Sequence, residues 1–226
     1  PRETALARLH AVPVPRDAVP RVSCKKRWYA RTAGHRFHVV AVDCGIKLNI
    51  IRSLNRRGCN VTVVPWNTTA EEIALYQPDG IFFSNGPGDP EDVGPVIELI
   101  RAIRGRWPIF GICLGHQLIS LAFGGRTYKL KFGHRGGNHP VLRLSDGKIE
   151  ITSQNHSYAV DADSLSGTGL IPTHTNLLDG TVEGVACPAE RIFSVQYHPE
   201  SAPGPQDSGY LFDQFVELMK EDKAHA

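Results

Sequence analysis

The sequence predicts an α/β fold, a mostly parallel sheet flanked by helices and followed by a small antiparallel sheet. Three observations lead there. Short apolar runs alternate with stretches of helical spacing from Arg36 to Ala122, the order that builds a parallel sheet covered on both faces. Two glycine-rich turns, at 85–90 and 111–115, each follow an apolar run, and sites in such sheets lie at the carboxyl ends of the strands. After Gly124 the texture changes to short separate segments, which reads as antiparallel pairing.

Each element has its own warrant. Residues 1–35 carry Pro13, Pro15 and Pro20 and no sustained periodicity, so a linker, or the remnant of a domain upstream, is expected there. Phe37 to Val42 is apolar and ends at Asp43 and Gly45, which suits a buried strand. Ile46, Ile50, Ile51 and Leu54 recur at helical spacing until Gly58, a helix stop. Val61–Val64 is a second strand, and Thr68-Thr69-Ala70-Glu71-Glu72 is a capped helix start. Gly80–Ser84 is a third strand, Val93–Arg104 a helix, Pro108–Ile112 a fourth strand, and Leu114–Ala122 the helix after it. Arg126–Tyr128, Val141–Leu144, Ile149–Thr152 and Ser157–Val160 read as short strands. Arg191–Tyr197 is a further apolar strand, and Leu211, Phe215, Leu218 and Met219 mark an amphipathic closing helix.

The totals exclude several classes. The formal net charge of +2 over 226 residues gives no reason to expect a nucleic-acid partner. Arg56 and Arg57 read as a solvated helix end. No apolar run is long enough to cross a bilayer and no signal peptide is evident, so no membrane partner and a cytoplasmic location are expected. The five cysteines are scattered, with no Cys-x-x-Cys pair, which argues against a disulfide framework or a zinc site. His134, His139 and His156 lack metal-ligand spacing, so no metal is expected.

One cysteine stands in a special context. Gly111-Ile112-Cys113-Leu114-Gly115 places it between strand and helix, with glycines that let the backbone turn sharply. This is the arrangement that exposes a nucleophile, and the helix N-terminus favours thiolate. A second segment, His198-Pro199-Glu200, follows the last strand. A cysteine nucleophile needs a base and a group that orients it, and His198 and Glu200 are of the right types. In Ser84-Asn85-Gly86-Pro87-Gly88-Asp89-Pro90, two glycines and two prolines fix a loop of seven residues. Such a loop exposes backbone N–H groups, and one of them with the N–H of Leu114 could hold an oxyanion. It lacks the Gly-Lys-Ser/Thr ending of a phosphate loop.

These motifs, in this order, resemble those of the class I (triad) glutamine amidotransferases, over residues 36–221. Within that family the match is with the amidotransferase domain of carbamoyl phosphate synthetase small subunits, through Asp43–Ile50, Ser84–Pro90, Gly111–Gln117, Lys131–Pro140, Gln154–Tyr158 and His198–Pro205. The resemblance implies a flavodoxin-like α/β fold, with the domain spanning 36–226. It implies a nucleophile at Cys113, a base at His198 and its orienter at Glu200. It puts the oxyanion hole at Gly88 and Leu114 and glutamine contacts at Gly86, Gln117, Asn155, Ser157 and Tyr158. The implied reaction is glutamine hydrolysis through a thioester. The ammonia passes to a large subunit that makes carbamoyl phosphate for pyrimidine and arginine biosynthesis. No cofactor is implied in this chain, ATP being used by the large subunit.

Two departures from the family pattern matter. The family carries a further N-terminal domain with a serine that contacts glutamine, where this sequence has only residues 1–35. Ser157 and Tyr158 stand where the family often has glycine and phenylalanine; a positive φ would strain the serine, and otherwise the hydroxyls add hydrogen bonds. Two other readings stay open from the residues: a silent binding subunit that docks a synthetase or senses glutamine, and a sister enzyme with another synthetase partner.

Overall fold

The computed structural model describes residues 1–12, 15–201 and 203–225; Pro13 of the expected linker and Ala202 of the last motif lie outside them. Helices α1 (Arg2–Ala11) and α2 (Ala18–Val22) precede β1 (Trp28–Ala30). Then come β2 (Phe37–Asp43), α3 (Leu48–Arg56), β3 (Cys59–Pro65), α4 (Ala70–Leu75), β4 (Gly80–Phe83), α5 (Gly94–Ile103), β5 (Ile109–Ile112) and α6 (Leu114–Ala122). Strands β6 (Thr127–Arg143), β7 (Ile149–Val160), β8 (Ile171–Asn176), β9 (Val182–Cys187) and β10 (Ile192–Val195) follow, and α7 (Tyr210–His225) closes the chain.

The strands form one sheet in the order β1-β3-β2-β4-β5-β10-β9-β7-β6-β8, with β8 returning to pair with β9. Pairing is parallel from β3 through β2, β4 and β5 to β10. It is antiparallel between β1 and β3 and throughout β6 to β9. The fold is α/β, but the sheet is mixed rather than mostly parallel. The antiparallel strands are no separate layer: β9 joins them to β10, and β9, β7, β6 and β8 close into a four-stranded barrel.

The parallel half is sequence chemistry made visible. Residues of β2 and β3 that point one way, Val40, Val42 and Val64, join α5 and α6 in one apolar cluster. Those pointing the other way, Val39, Ala41, Val61 and Val63, join α3 and α7 in a second. Phe110 anchors the second, stacked on Phe193 at 4.4 Å and edge-on to Phe82 at 5.3 Å. Burying each such ring contributes about 1.5–3 kcal/mol. Thr69 forms the expected capping box with Glu72 at the start of α4.

The segment before Arg36 contributes more than a linker would. β1 adds an antiparallel edge to β3, and Val19 of α2 is buried in the first cluster. The segments expected as four short strands after Gly124 are instead two long ones, β6 and β7, whose pairing is interrupted by register shifts between Lys129 and His134 and between Gly136 and His139. β8 and β9 have no counterpart among the expected strands. The barrel interior is largely polar: on β7 Glu150, Thr152, Gln154 and His156 are buried while Ile149 and Ile151 face outward, and only Ala159 and Val160 at the strand's end are buried and apolar.

Candidate active site

Cys113 caps the N-terminus of α6 with φ 55° and ψ −101°. Its own N–H donates to the Val195 carbonyl at 2.9 Å, which ties the turn to β10. Gly115 must be glycine, because a Cβ there would stand 2.2 Å from the Phe83 carbonyl oxygen. Its N–H donates to the Ser84 carbonyl at 3.1 Å, so the turn after β5 is laced to the end of β4. Gly86 is equally confined, with a Cβ position 2.2 Å from the Cys44 carbonyl oxygen. The N–H of Leu114, first residue of α6, is one of the helix's starting donors, and Gly88, in the loop after β4, has φ 95° and lines the same cleft as Cys113.

His198 follows β10 and is held there by its N–H, which donates to the Ser153 carbonyl at 2.9 Å. Its Nδ1 lies 2.8 Å from Glu200 Oε1. Cys113, His198 and Glu200 are all nearly or fully buried. Burial opposes a charge on His198, but the Cys113 thiol and the Glu200 carboxylate beside it win and push the imidazole up to about 9. Burial likewise works against an ionised Glu200, and His198 together with Lys47 brings it below the usual carboxylate range.

A cleft of about 540 Å³ opens in front of Cys113 and His198. Gly86, Gly88, Gln117, Asn155, Ser157 and Tyr158 all line it, so the structure gathers the expected substrate residues from three elements. Leu114 and Glu200 stand behind the lining side chains. Gln117 Nε2 donates to the Tyr158 carbonyl and to Gln196 Oε1, both at 2.9 Å, which leaves its carbonyl oxygen with capacity toward a ligand. Ser157 lies within β7 and has no positive φ, so the serine is not strained. Its hydroxyl instead accepts from Arg135 Nη2 at 2.7 Å. Burial and Asp89 push the Tyr158 phenol up to about 12.

The sequence reading misses several members of this cleft. Lys47 Nζ lies 3.0 Å from Glu200 Oε1, the same oxygen that meets His198. Lys129, Arg135, Asn85 and His156 also line the space. They come from loops and strands whose convergence no local motif announces. His134, His156 and Glu183 show no metal-type spacing because they lie on β6, β7 and β9, yet their ligand-type atoms fall within 4.8 Å of one another. Most of those atoms already have protein partners: His134 Nε2 meets Asp179, His156 meets Gln154 and Tyr158, and Glu183 accepts from Asn176 and Gln154, while His134 Nδ1 stands 3.4 Å from Glu183 Oε1 with no hydrogen bond of its own. The loop after β4 carries no lysine, so it does not have the make-up of a phosphate cradle.

A buried thiol at a strand-to-helix turn, paired with a carboxylate-oriented histidine over a polar cleft, defines a cysteine-nucleophile amide hydrolase or acyl transferase. The model of the glutamine amidotransferase class-I family matches residues 40–218, and the chain belongs to that family. It is 57% identical over 215 residues to the carbamoyl phosphate synthase small chain of Staphylococcus haemolyticus, covering 95% of this chain and 58% of that one. It is 54% identical over 228 residues to the small chain of Listeria monocytogenes serotype 4b, covering 100% of this chain and 62% of the other. The small chain of Bacillus caldolyticus is 54% identical, covering 96% of this chain and 59% of its own. The chain thus spans about three fifths of the length of these curated relatives. The crystal structure of a Thermoplasma acidophilum protein assigned as a GMP synthase component shares the fold, with a TM-score of 0.70 at 21% identity, covering 84% of this chain and 98% of that one.

Proposed function

We propose that this chain is the glutaminase domain of a carbamoyl phosphate synthase small chain. The observation that carries the reading is the His198–Glu200 pair, 2.8 Å apart, with His198 lining the same cleft as Cys113. In this mechanism the Cys113 thiolate attacks the side-chain amide carbon of glutamine. The oxygen takes the negative charge and is held by the N–H groups of Gly88 and Leu114. His198, as imidazolium, gives its proton to the nitrogen, the C–N bond breaks, and ammonia leaves a γ-glutamyl thioester. The neutral imidazole then takes a proton from water, whose oxygen attacks the thioester. Glutamate leaves and the thiolate–imidazolium pair is restored. Glu200 keeps the ring oriented and balances its charge.

Gly86, Gln117, Asn155, Ser157 and Tyr158 hold the amino-acid end of glutamine. The ammonia goes to a carbamoyl phosphate synthetase large subunit, which uses ATP, and this chain needs no cofactor or metal of its own. The product would serve pyrimidine and arginine biosynthesis in the cytoplasm. Residues 36–226 form the amidotransferase domain and residues 1–35 lead into it. The flavodoxin-like reading is supported by the parallel strands, whose spatial order β3-β2-β4-β5-β10 is 2-1-3-4-5 by sequence.

The test is ammonia release from glutamine, with and without a synthetase large subunit. Release that rises with the partner, and falls about a thousandfold or more in Cys113→Ala, is expected. Release unchanged in Cys113→Ala overturns the assignment. A folded chain that releases nothing under either condition favours a silent binding role.

A further inference from the structure

One chain of hydrogen bonds inside the barrel does not close while Glu183 is ionised and His156 is neutral. Glu183 on β9 is fully buried. Its Oε1 accepts from Asn176 Nδ2 and its Oε2 from Gln154 Nε2, each at 2.9 Å. Gln154 Nε2 also donates to Thr152 Oγ1 at 3.2 Å, and Thr152 gives its own proton to the His139 carbonyl at 2.9 Å. Both partners therefore demand a donor from Gln154. A reversed amide would set an oxygen against a carboxylate and against a hydroxyl oxygen whose proton is already committed. The amide oxygen must face the other way, where Gln154 Oε1 lies 2.8 Å from His156 Nε2. On the far side of the ring, His156 Nδ1 lies 2.7 Å from the Tyr158 carbonyl oxygen. Both neighbours only accept, and a neutral imidazole carries one N–H.

We infer that His156 carries a proton on both ring nitrogens, and that Glu183, acting through Gln154, is the positioning residue that holds this charged ring against the Tyr158 carbonyl at the cleft wall. Glu183 supplies the opposite charge that a buried cation requires. Burial is the largest influence on His156 and, against the pull of Glu183 and the Tyr158 carbonyl, brings it down to about 4; the hydrogen-bond partners argue the other way. The other titratable groups facing the ring are His134 on β6, its ring edge-on at 4.8 Å, His198 beyond β10 and His116 on α6. His134 is itself bonded to Asp179 at 2.8 Å. With Glu183 ionised the bond count requires the second ring proton, because a neutral ring then leaves two acceptors in contact on one side or the other.

The consequence reaches the substrate. The Tyr158 carbonyl that His156 grips also accepts from Gln117, and both His156 and Gln117 line the cleft. The kinetic part of this inference rests on the glutaminase reading; the protonation part does not. The experiment is nitrogen NMR of the chain labelled in histidine, with His156 assigned by its absence in His156→Gln. The wild type should show two ring N–H groups on His156 at neutral pH. Glu183→Gln removes the carboxylate, so the new amide can donate to a reversed Gln154, which then donates to Nε2, with the Thr152 hydroxyl turning its proton from the His139 carbonyl to the Gln154 oxygen. That variant should leave His156 with one ring proton and raise KM for glutamine on the order of tenfold, with little change in kcat. A wild-type His156 with a single ring proton overturns the inference without any variant. So does a signal that moves on treatment with a chelator, which would mean a metal at these residues. An unchanged KM in folded Glu183→Gln removes the positioning role. No glutaminase activity in the wild type sinks the function proposed above while the proton count still stands or falls by the spectrum.

Discussion

Cys113 adopts a φ of 55° that a non-glycine residue accepts only at a cost of about 1–3 kcal/mol. What holds it there is close packing: Gly111 and Gly115 have no room for a Cβ, so β4, β5 and α6 approach until the turn has no other way to go. The histidine beside it carries a pH signature. His198 is raised in the folded state to about 9, so the stability it contributes is complete below its unfolded value of about 6.5 and is lost as pH rises through about 9. Urea unfolding midpoints measured across that window should therefore fall with pH. Glu200→Gln should flatten the fall, since it removes one of the partners that hold the proton. A slope that Glu200→Gln leaves untouched would mean another group carries the dependence. Lys47 shares the Glu200 oxygen at 3.0 Å. It is invisible in the sequence, since nothing in the run Gly45-Ile46-Lys47 points forward to a residue on the far side of the sheet.

At the scale of elements, the helix after Cys113 is the one the candidate site leans on. α6 is buried on nearly every side, so its N-terminus has no freedom to drift, and Gly115 is the point of nearest approach to β4. Gly115→Ala would drive a methyl into the Phe83 carbonyl. It should cost about 1–3 kcal/mol, read from the urea midpoint, and should reduce ammonia release more than that loss of folded protein explains. Elements with apolar stripes or local caps are legible from sequence: α6 spans Leu114–Ala122 as read, and the Thr69 capping box is formed. β8 is not, because the residues it buries are His174 and Asn176, nor is β9, where Glu183 and Gly184 interrupt the buried Val182, Val185 and Cys187. A strand whose buried face is polar gives no alternation of the expected sign. β1 is hidden for a different reason: three residues, Trp28–Ala30, are too few to show a period.

The whole molecule joins two halves of opposite chemistry, an apolar parallel sheet between helices and a polar-cored barrel. The candidate site draws from both: Cys113 and His198 from the first, Asn155, Ser157 and Tyr158 from the second. Backbone bonds cross the join, Gln196 N–H to Glu183 carbonyl at 2.8 Å and His198 N–H to Ser153 carbonyl at 2.9 Å. The halves should therefore unfold together. Trp28, Trp66 and Trp107 lie before α6, so their fluorescence reports the parallel half alone, and histidine NMR signals from His134 and His156 report the barrel. Coincident urea transitions by the two probes are expected; a barrel that loosens first would show the join to be weak. The triad is legible because its parts sit in two compact motifs. The cleft's opposite wall, Asn155, Ser157 and Tyr158, is named by the family resemblance alone, because its place is set by how the barrel seats against β10.

The return of β8 to β9 has one more effect. An open sheet has two rims of unpaired backbone groups, each a template on which another chain can grow. Here β8 is bonded on both sides, to β6 and to β9, so the last strand in the order is not a free rim. At the other end stands β1, three residues long, and a strand so short offers a second chain little to register against. Among the described residues, neither end strand presents a long template for strand-by-strand polymerisation.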